Sequence, residues 1–267
     1  MSTFRLPTTI PLEEYPPPEV FIEEAQRLVS RAEEEGLTLR VMGGMAIFMR
    51  AREHEGLWRR LKRLGDRVFT DIDFVSYGKQ RTAMLDFFQR EGYKTDRDLL
   101  MRTGPNRQIF YGGRVPMVEV FYDRLEMNHT IDYAGRLELD RPTVPLTELL
   151  LQKLQIVHLN EKDVKDVVVL LRAHEVGESN GAVDAKLLNE RYLSADWGFY
   201  HTATANLRKI QESLHRLDGL EELDRKVVGG RLEELLARAE QSKKSTRWKL
   251  RAKVGESVQW YEDVDEL

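Results

Sequence analysis

The sequence predicts an α+β fold: a mixed sheet flanked by helices, followed by a helical C-terminal part. Three observations predict it. Leu37, Leu39 and Val41 alternate with less apolar residues and lead into Gly43-Gly44 and a helical pattern, which is strand, turn and helix start in one stretch. Asp71-Ile72-Asp73-Phe74-Val75 and two apolar runs around Gly112-Gly113 read as further strands. From Thr147 onward the apolar residues recur at helical spacing with little β signal left. The expected organisation is an extended arm over 1–18, a mixed core over 19–145 and a helical region over 146–267, divided near Pro145.

Element by element, the arm carries Pro7, Pro11 and the Pro16-Pro17-Pro18 run, and consecutive prolines favour extended polyproline chain. Glu19–Glu35 is amphipathic, with Phe21, Ala25, Leu28, Val29 and Ala32 on one face and Gly36 as its stop. Met45–Arg52 reads as a helix after the glycine turn. Glu53–Asp66 reads as an extra one, with Leu57, Trp58, Leu61 and Leu64 at helical spacing. Lys79–Arg90 is a helix ended by Gly92. Arg107–Tyr111 and Val115–Phe121 are antiparallel strands joined at the glycine pair, and another β segment is expected through Ile131 and Leu137–Leu139 with Gly135 at its turn. Helices are then expected from Leu149 to Leu159 and from Asp163 to His174. Past a polar loop at Gly177–Gly181, three more cover Asp184–Arg191, Tyr200–Leu217 and Arg231–Gln241.

Composition bounds the function. The 267 residues can bury a sizeable core, and 41% hydrophobic with 32% charged residues is ordinary for a soluble globular protein. No apolar run is long enough to cross a membrane, and the N-terminus lacks the basic-then-apolar layout of a secretory leader. Cysteine is absent, which excludes disulfides and thiolate metal sites and makes the cytoplasm the expected location. A net charge of −4 argues against a globally basic nucleic-acid coat, while allowing a local basic groove. The six histidines show no ligand-like spacing, and no nucleophile elbow, Walker loop or dinucleotide fingerprint occurs.

Chemistry concentrates between Leu39 and Phe74. A glycine turn at a helix N-terminus lets backbone approach a phosphate with free N–H groups facing it. Asp71 and Asp73 stand two apart in a β-type run, so both carboxylates leave the same side. Such a pair is either a solvated edge or a cation site, because like charges at that distance repel unless a cation sits between them. Glu119 interrupts another apolar strand, Val118-Glu119-Val120-Phe121, and supplies a third acid.

Gly-Gly, then Asp-x-Asp with Thr70 before it and Phe74 after it, then a lone acid on a later strand resembles the nucleotidyltransferase superfamily of DNA polymerase β. Within it, the chain is most similar to AbiEii-type nucleotidyltransferases, the toxin half of bacterial type IV toxin–antitoxin systems. The resemblance covers roughly Thr38 to Leu171. It implies transfer of a nucleoside monophosphate from an NTP to an acceptor, RNA and in particular a tRNA 3′ end, and a cognate antitoxin as partner. Small-molecule or protein nucleotidyl transfer, or a catalytically idle nucleotide-binding module, are the alternatives. In the resemblance, two Mg²⁺ ions are held by Asp71, Asp73 and Glu119, with Glu119 either completing a metal site or accepting the acceptor's proton. Gly43 and Gly44 admit the phosphates. One departure stands out: Gly44 and Asp71 are 27 positions apart (71 − 44), more than the family usually spans.

Lys153 lies in an otherwise apolar helix start, where it either reaches solvent or, as in the family's corresponding helix, holds a nucleotide phosphate. On that pattern Lys153→Met should leave stability unchanged or raised. Asp163 and Asp166 resemble the family's Lys-Asp-x-x-Asp motif. Asp163 also suits a helix cap, and Asp166 is the site residue, holding Lys153 or the nucleotide. Arg67 and Arg107 are further candidates for triphosphate or RNA contact. Two basic stretches, Arg50 to Arg67 and Lys243 to Lys253 around Trp248, are solvated faces or RNA contacts.

Overall fold

The alternation at Leu39 does make a strand, and the elements around it follow from equally local causes. The computed structural model describes residues 7–63 and 69–264. Two 3₁₀ turns, Pro7–Thr9 and Leu12–Glu14, interrupt the arm, and Pro17 is extended at φ −65° and ψ 157°. Helix α1, Pro18–Glu34, starts on a proline whose missing N–H costs nothing at that position. It buries Phe21, Ala25, Leu28, Val29 and Ala32. Strand β1 is Leu39–Val41 and helix α2 is Gly43–Arg50. Where one helix over Glu53–Asp66 is expected, there is a 3₁₀ turn at Arg52–His54 and then α3, Glu55–Leu61. Lys62 in the left-handed region, φ 47°, ends that helix; Leu64 and Asp66 lie outside the described residues.

Strand β2 is Ile72–Ser76 and helix α4 is Arg81–Arg90. A short helix that periodicity does not reveal, α5 at Arg97–Thr103, is capped by Asp96, whose carboxylate accepts from the Leu99 N–H at 2.9 Å. Strands β3, Arg107–Tyr111, and β4, Met117–Tyr122, follow, then β5, Arg124–Glu126, paired with β6, Thr130–Asp132. Leu137–Leu139 forms turns and not the expected strand. Leu137 is nonetheless fully buried, so its apolar side chain serves the core without a strand partner.

Helix α6 is Leu146–Leu154, ending five residues before the expected Leu159 (159 − 154), and α7 is Glu161–Ala173. Strands β7, Val176–Gly177, and β8, Val183–Asp184, pair in parallel. Helix α8, Ala185–Leu187, continues as a π-helical stretch over Leu188–Leu193. Helix α9 is Trp197–Ser213, α10 is Glu222–Gln241 and α11 is Thr246–Val254. Helix α10 begins nine residues before the expected Arg231 (231 − 222), because Glu221 and Asp224 form a reciprocal capping box and Gly229-Gly230 sits inside the helix. Among the described residues no helix is long and apolar enough to cross a membrane.

The chain divides into two units, each assembled from three segments. The first comprises the described residues within Met1–Met49, Leu64–Leu125 and Asp132–Val144; the second comprises those within Arg50–Arg63, Glu126–Ile131 and Pro145–Leu267. The first unit holds a four-stranded mixed sheet in the order β1-β2-β4-β3. β1 and β2 are antiparallel, β2 and β4 parallel, and β4 and β3 antiparallel. Strand alternation separates two faces. One carries Phe74 and Phe110, against which Phe88 of α4 packs with ring centroids 6.3 and 4.4 Å away. The other carries Asp73, Glu119 and Arg107, beside a small apolar cluster of Leu99, Ile109, Tyr111 and Met117. In the second unit α7 packs against α3, α6 and α10, and α9 packs against α6, α10 and α11.

Candidate active site

The acid face of the sheet begins with register. Asp73 on β2 and Glu119 on β4 are direct partners across a parallel ladder, so their side chains stand next to each other. Asp71, just before β2, is close enough to Glu119 to act on its protonation, and accepts a hydrogen bond from the Thr70 hydroxyl at 3.0 Å. The turn from β1 to α2 brings backbone to the same place. The Met42 N–H donates to the Asp73 carbonyl at 2.9 Å, and Gly43 has φ 69°. A Cβ on Gly43 would sit 2.8 Å from Asp73 Oδ2. Glycine is therefore required twice over, for the left-handed backbone and for the close approach. Asp73 lies against the opening of a helix, where the macrodipole favours negative charge. Gly44 is buried in the first turn of α2.

Arg107, the first residue of β3, closes the other side. Its register partner is Phe121, which puts it diagonally across from Glu119 on the same face. Its Nε donates to Glu119 Oε2 at 3.0 Å, and its Nη2 donates to Oε1 and Oε2 at 2.7 and 2.6 Å. The guanidinium carbon is 5.2 Å from the centroid of the Phe121 ring. Glu119 is buried. Burial pushes its carboxyl above the ordinary range, Arg107 draws it partly back, and Asp71 adds to the rise.

Lys153 and Asp166 belong to the second unit, where they are partners of each other. The Lys153 ammonium donates to Asp163 at 2.8 Å and pairs with Asp166 Oδ2 at 2.9 Å. Arg63, just past α3, adds a two-pronged contact to Asp166 through Nε and through Nη2, the latter at 2.8 Å. Two cations and two carboxylates thus balance inside the unit. Burial works against the Lys153 ammonium, but Asp166 and Asp163 overcome it and hold its pKa above the ordinary lysine range. Burial likewise opposes the Asp166 carboxylate, which Lys153 and Arg63 hold below the usual range. Two expectations change. Lys153 does not reach solvent, and the cap of α7 is Asn160, which accepts from the Asp163 N–H at 3.0 Å, leaving the Asp163 carboxylate for the lysine.

The basic stretch before Arg67 is largely paired within the second unit: Arg59 with Glu55, Arg60 with Glu221 and Asp224, Arg63 with Asp166. Arg67 lies outside the described residues. Sequence reasoning missed the role of Arg63, whose partner is 103 positions away and leaves no local signal. The Arg107–Glu119 pair was within reach in principle, since a two-residue diagonal across a hairpin makes it. Fixing that diagonal needs the register, which a loop of unknown length conceals.

The acid face suits a hard divalent cation in part. Asp71 and Asp73 offer carboxylate oxygens, and the missing Gly43 Cβ leaves room beside one of them. Glu119 accepts three N–H contacts from Arg107, two at Oε2 and one at Oε1, and among the described residues no group of three or more acids and histidines is arranged to hold a metal. The two aspartates therefore offer oxygens that fit a divalent ion, and Glu119 stands beside Asp73 paired with Arg107.

No protein-family model matches the sequence, and no curated protein matches it. Among solved structures, the solution structure of the antibiotic-resistance factor ANT(2'')-Ia, a nucleotidyltransferase, is similar over 74% of this chain and 96% of that one. The identity is 12% and the TM-score 0.36. At that identity and TM-score the likeness assigns neither a family nor a chemistry to this chain.

Proposed function

We propose that this chain is a nucleotidyltransferase that moves a nucleoside monophosphate from an NTP to an acceptor hydroxyl. The observation that carries the proposal is the pairing of Asp73 with Glu119 in register on parallel strands, with Asp71 beside them and the Gly43 turn against Asp73. Asp71 and Asp73 would hold a divalent cation, Mg²⁺ by its preference for carboxylate oxygen, which when bound neutralises phosphate charge. The start of α2 receives the phosphates, because its first N–H groups have no intrahelical acceptor. Glu119 takes the acceptor's proton at a carboxylate oxygen as the acceptor oxygen bonds to the α-phosphorus. The bond from that phosphorus to the bridging oxygen breaks, and its electron pair leaves with pyrophosphate.

The acceptor we infer is RNA, with a tRNA 3′ end, a toxin role and a cognate antitoxin following from the resemblance of the motifs. Helix α11 supports a polyanion. Lys243, Arg247, Lys249 and Lys253 on and beside it are exposed, while Lys244 and Arg251 lie 4.5 Å over Tyr200 and 4.9 Å over Trp197. The test is incubation with each labelled NTP, Mg²⁺ and total RNA. Label in RNA is expected. Label in protein or small molecules would replace the acceptor, and no label anywhere would remove the transferase proposal.

A further inference from the structure

Resting on the transferase reading for the role of Glu119, we infer that Arg107 is a phosphate subsite on the acceptor side. Its unused guanidinium edge binds the phosphate next to the acceptor's reacting hydroxyl. The acceptor class this fits is a nucleotide-terminated chain, here an RNA 3′ end.

Position decides the side. The strand order β1-β2-β4-β3 places Gly43 and the start of α2 at one edge of the acid face, then Asp73, then Glu119, then Arg107. Strand β3 is two strands from β2, about 10 Å at the usual spacing. Along the strands, too, the neighbours of Glu119 diverge. Asp71 lies level with residues before it, whereas Arg107 pairs with Phe121, two positions beyond it. The acids thus separate Arg107 from the NTP phosphates proposed for α2, and the hydroxyl that gives its proton to Glu119 has Arg107 as its next neighbour.

Donor geometry decides the ligand. Nε and Nη2 serve Glu119, while Nη1, with two of the five N–H groups, has no acceptor among the described residues. The Phe121 ring, 5.2 Å from the guanidinium carbon, helps to hold the fork in place. The Arg107 side chain is 25% exposed and that of Glu119 7%, so the arginine is the part an incoming anion meets. A fork fixed by one carboxylate, permanently charged and still carrying spare N–H groups, suits a phosphate oxygen. Three N–H contacts leave Glu119 one acceptor position, on Oε1, for the proton. The same arrangement disfavours a cationic acceptor, whose charge would meet the guanidinium.

The experiment neutralises one phosphate at a time. RNA oligonucleotides labelled with fluorescein at the 5′ end carry a neutral methylphosphonate at the last linkage or at one well inside the strand. Binding to the full chain is read by anisotropy, with Mg²⁺ and a saturating non-hydrolysable NTP analogue. In the wild type the terminal change should weaken binding about tenfold and the interior change about twofold or less. Equal losses would overturn the inference, and so would no binding of RNA at all. Arg107→Gln with Glu119→Gln removes both charges together and strands neither in the interior. In that variant the terminal change should cost no more than the interior one, and a retained loss of about tenfold would assign the phosphate to another residue. Its affinity for the NTP analogue, by calorimetry, should match that of Glu119→Gln alone within about threefold; a further fall of about tenfold would move Arg107 to the NTP and overturn its place on the acceptor. The transferase reading fails separately: unmodified RNA then stays unlabelled with every NTP while the terminal preference persists.

Discussion

At the scale of single residues, the same side-chain types do opposite work in different surroundings. Asp71 and Asp73 crowd negative charge on a sheet face, so Asp71→Asn with Asp73→Asn should reduce NTP-dependent labelling to background. Melting temperature without metal should hold or rise, since repulsion is relieved. Full labelling by that variant would end the metal assignment. Lys153 behaves the other way. The apolar helix around it suggests that methionine would be tolerated, but its ammonium is the partner of two buried carboxylates. Lys153→Met should therefore destabilise the chain by about 3–5 kcal/mol in urea unfolding, because breaking a buried pair strands its partner. His129 gives a pH dependence. It is buried against Phe199, with rings 4.9 Å apart, and burial pushes its pKa down to about 4 from an ordinary 6.5. Between those values the unfolded imidazole binds a proton and the folded one does not, so stability falls as pH drops through that window. The decrease is on the order of 3 kcal/mol by pH 4, and His129→Gln should remove that part of the acid slope in melts from pH 7 to pH 4. An unchanged slope would assign the acid sensitivity to other groups.

At the scale of elements, α11 is a helix with no buried residue. Its neighbours hold it through polar and ring contacts, Trp248 lying 5.2 Å from Tyr200. Replacing Lys243, Arg247, Lys249 and Lys253 with glutamine should therefore leave the melting temperature unchanged and weaken RNA retention. The salt dependence of binding should become shallower by roughly 0.7 for each phosphate no longer neutralised, measured by fluorescence anisotropy across a salt series. Unaltered binding would return α11 to a solvated face. Elements were readable in the sequence wherever a single face repeats for three turns or more, as in α1 and α7, or where alternation meets a glycine turn, as from β1 into α2. Seven-residue α5 repeats too briefly to show a face. The glycine pair in α10 imitates a loop, because propensity there yields to packing. The candidate site divides in the same way. Gly43, Asp71, Asp73 and Glu119 announce themselves by spacing. What neutralises Glu119 or surrounds Lys153 depends on register and on partners far along the chain.

At the scale of the whole molecule, the unit boundaries cut across the sequence. Residues Arg50–Arg63 fall between two strands of the first unit yet belong to the second, where Leu57, Trp58 and Leu61 of α3 are buried. A fragment ending at Pro145 keeps that helix and lacks α7, against which it packs. It should expose those side chains, bind a hydrophobic dye and unfold without a sharp transition. A soluble 1–145 chain with a cooperative melt would show that the first unit stands without the second. The same interleaving has a consequence for biosynthesis. Glu161, where α7 begins, follows Leu61 by 100 positions (161 − 61). At about 5–20 residues per second, a ribosome needs roughly 5–20 s to cover that stretch. Throughout that interval a finished tryptophan and two leucines wait for a surface not yet made. The nascent chain is thus a client for whatever shields apolar side chains at the exit tunnel, well before its own second unit can do so.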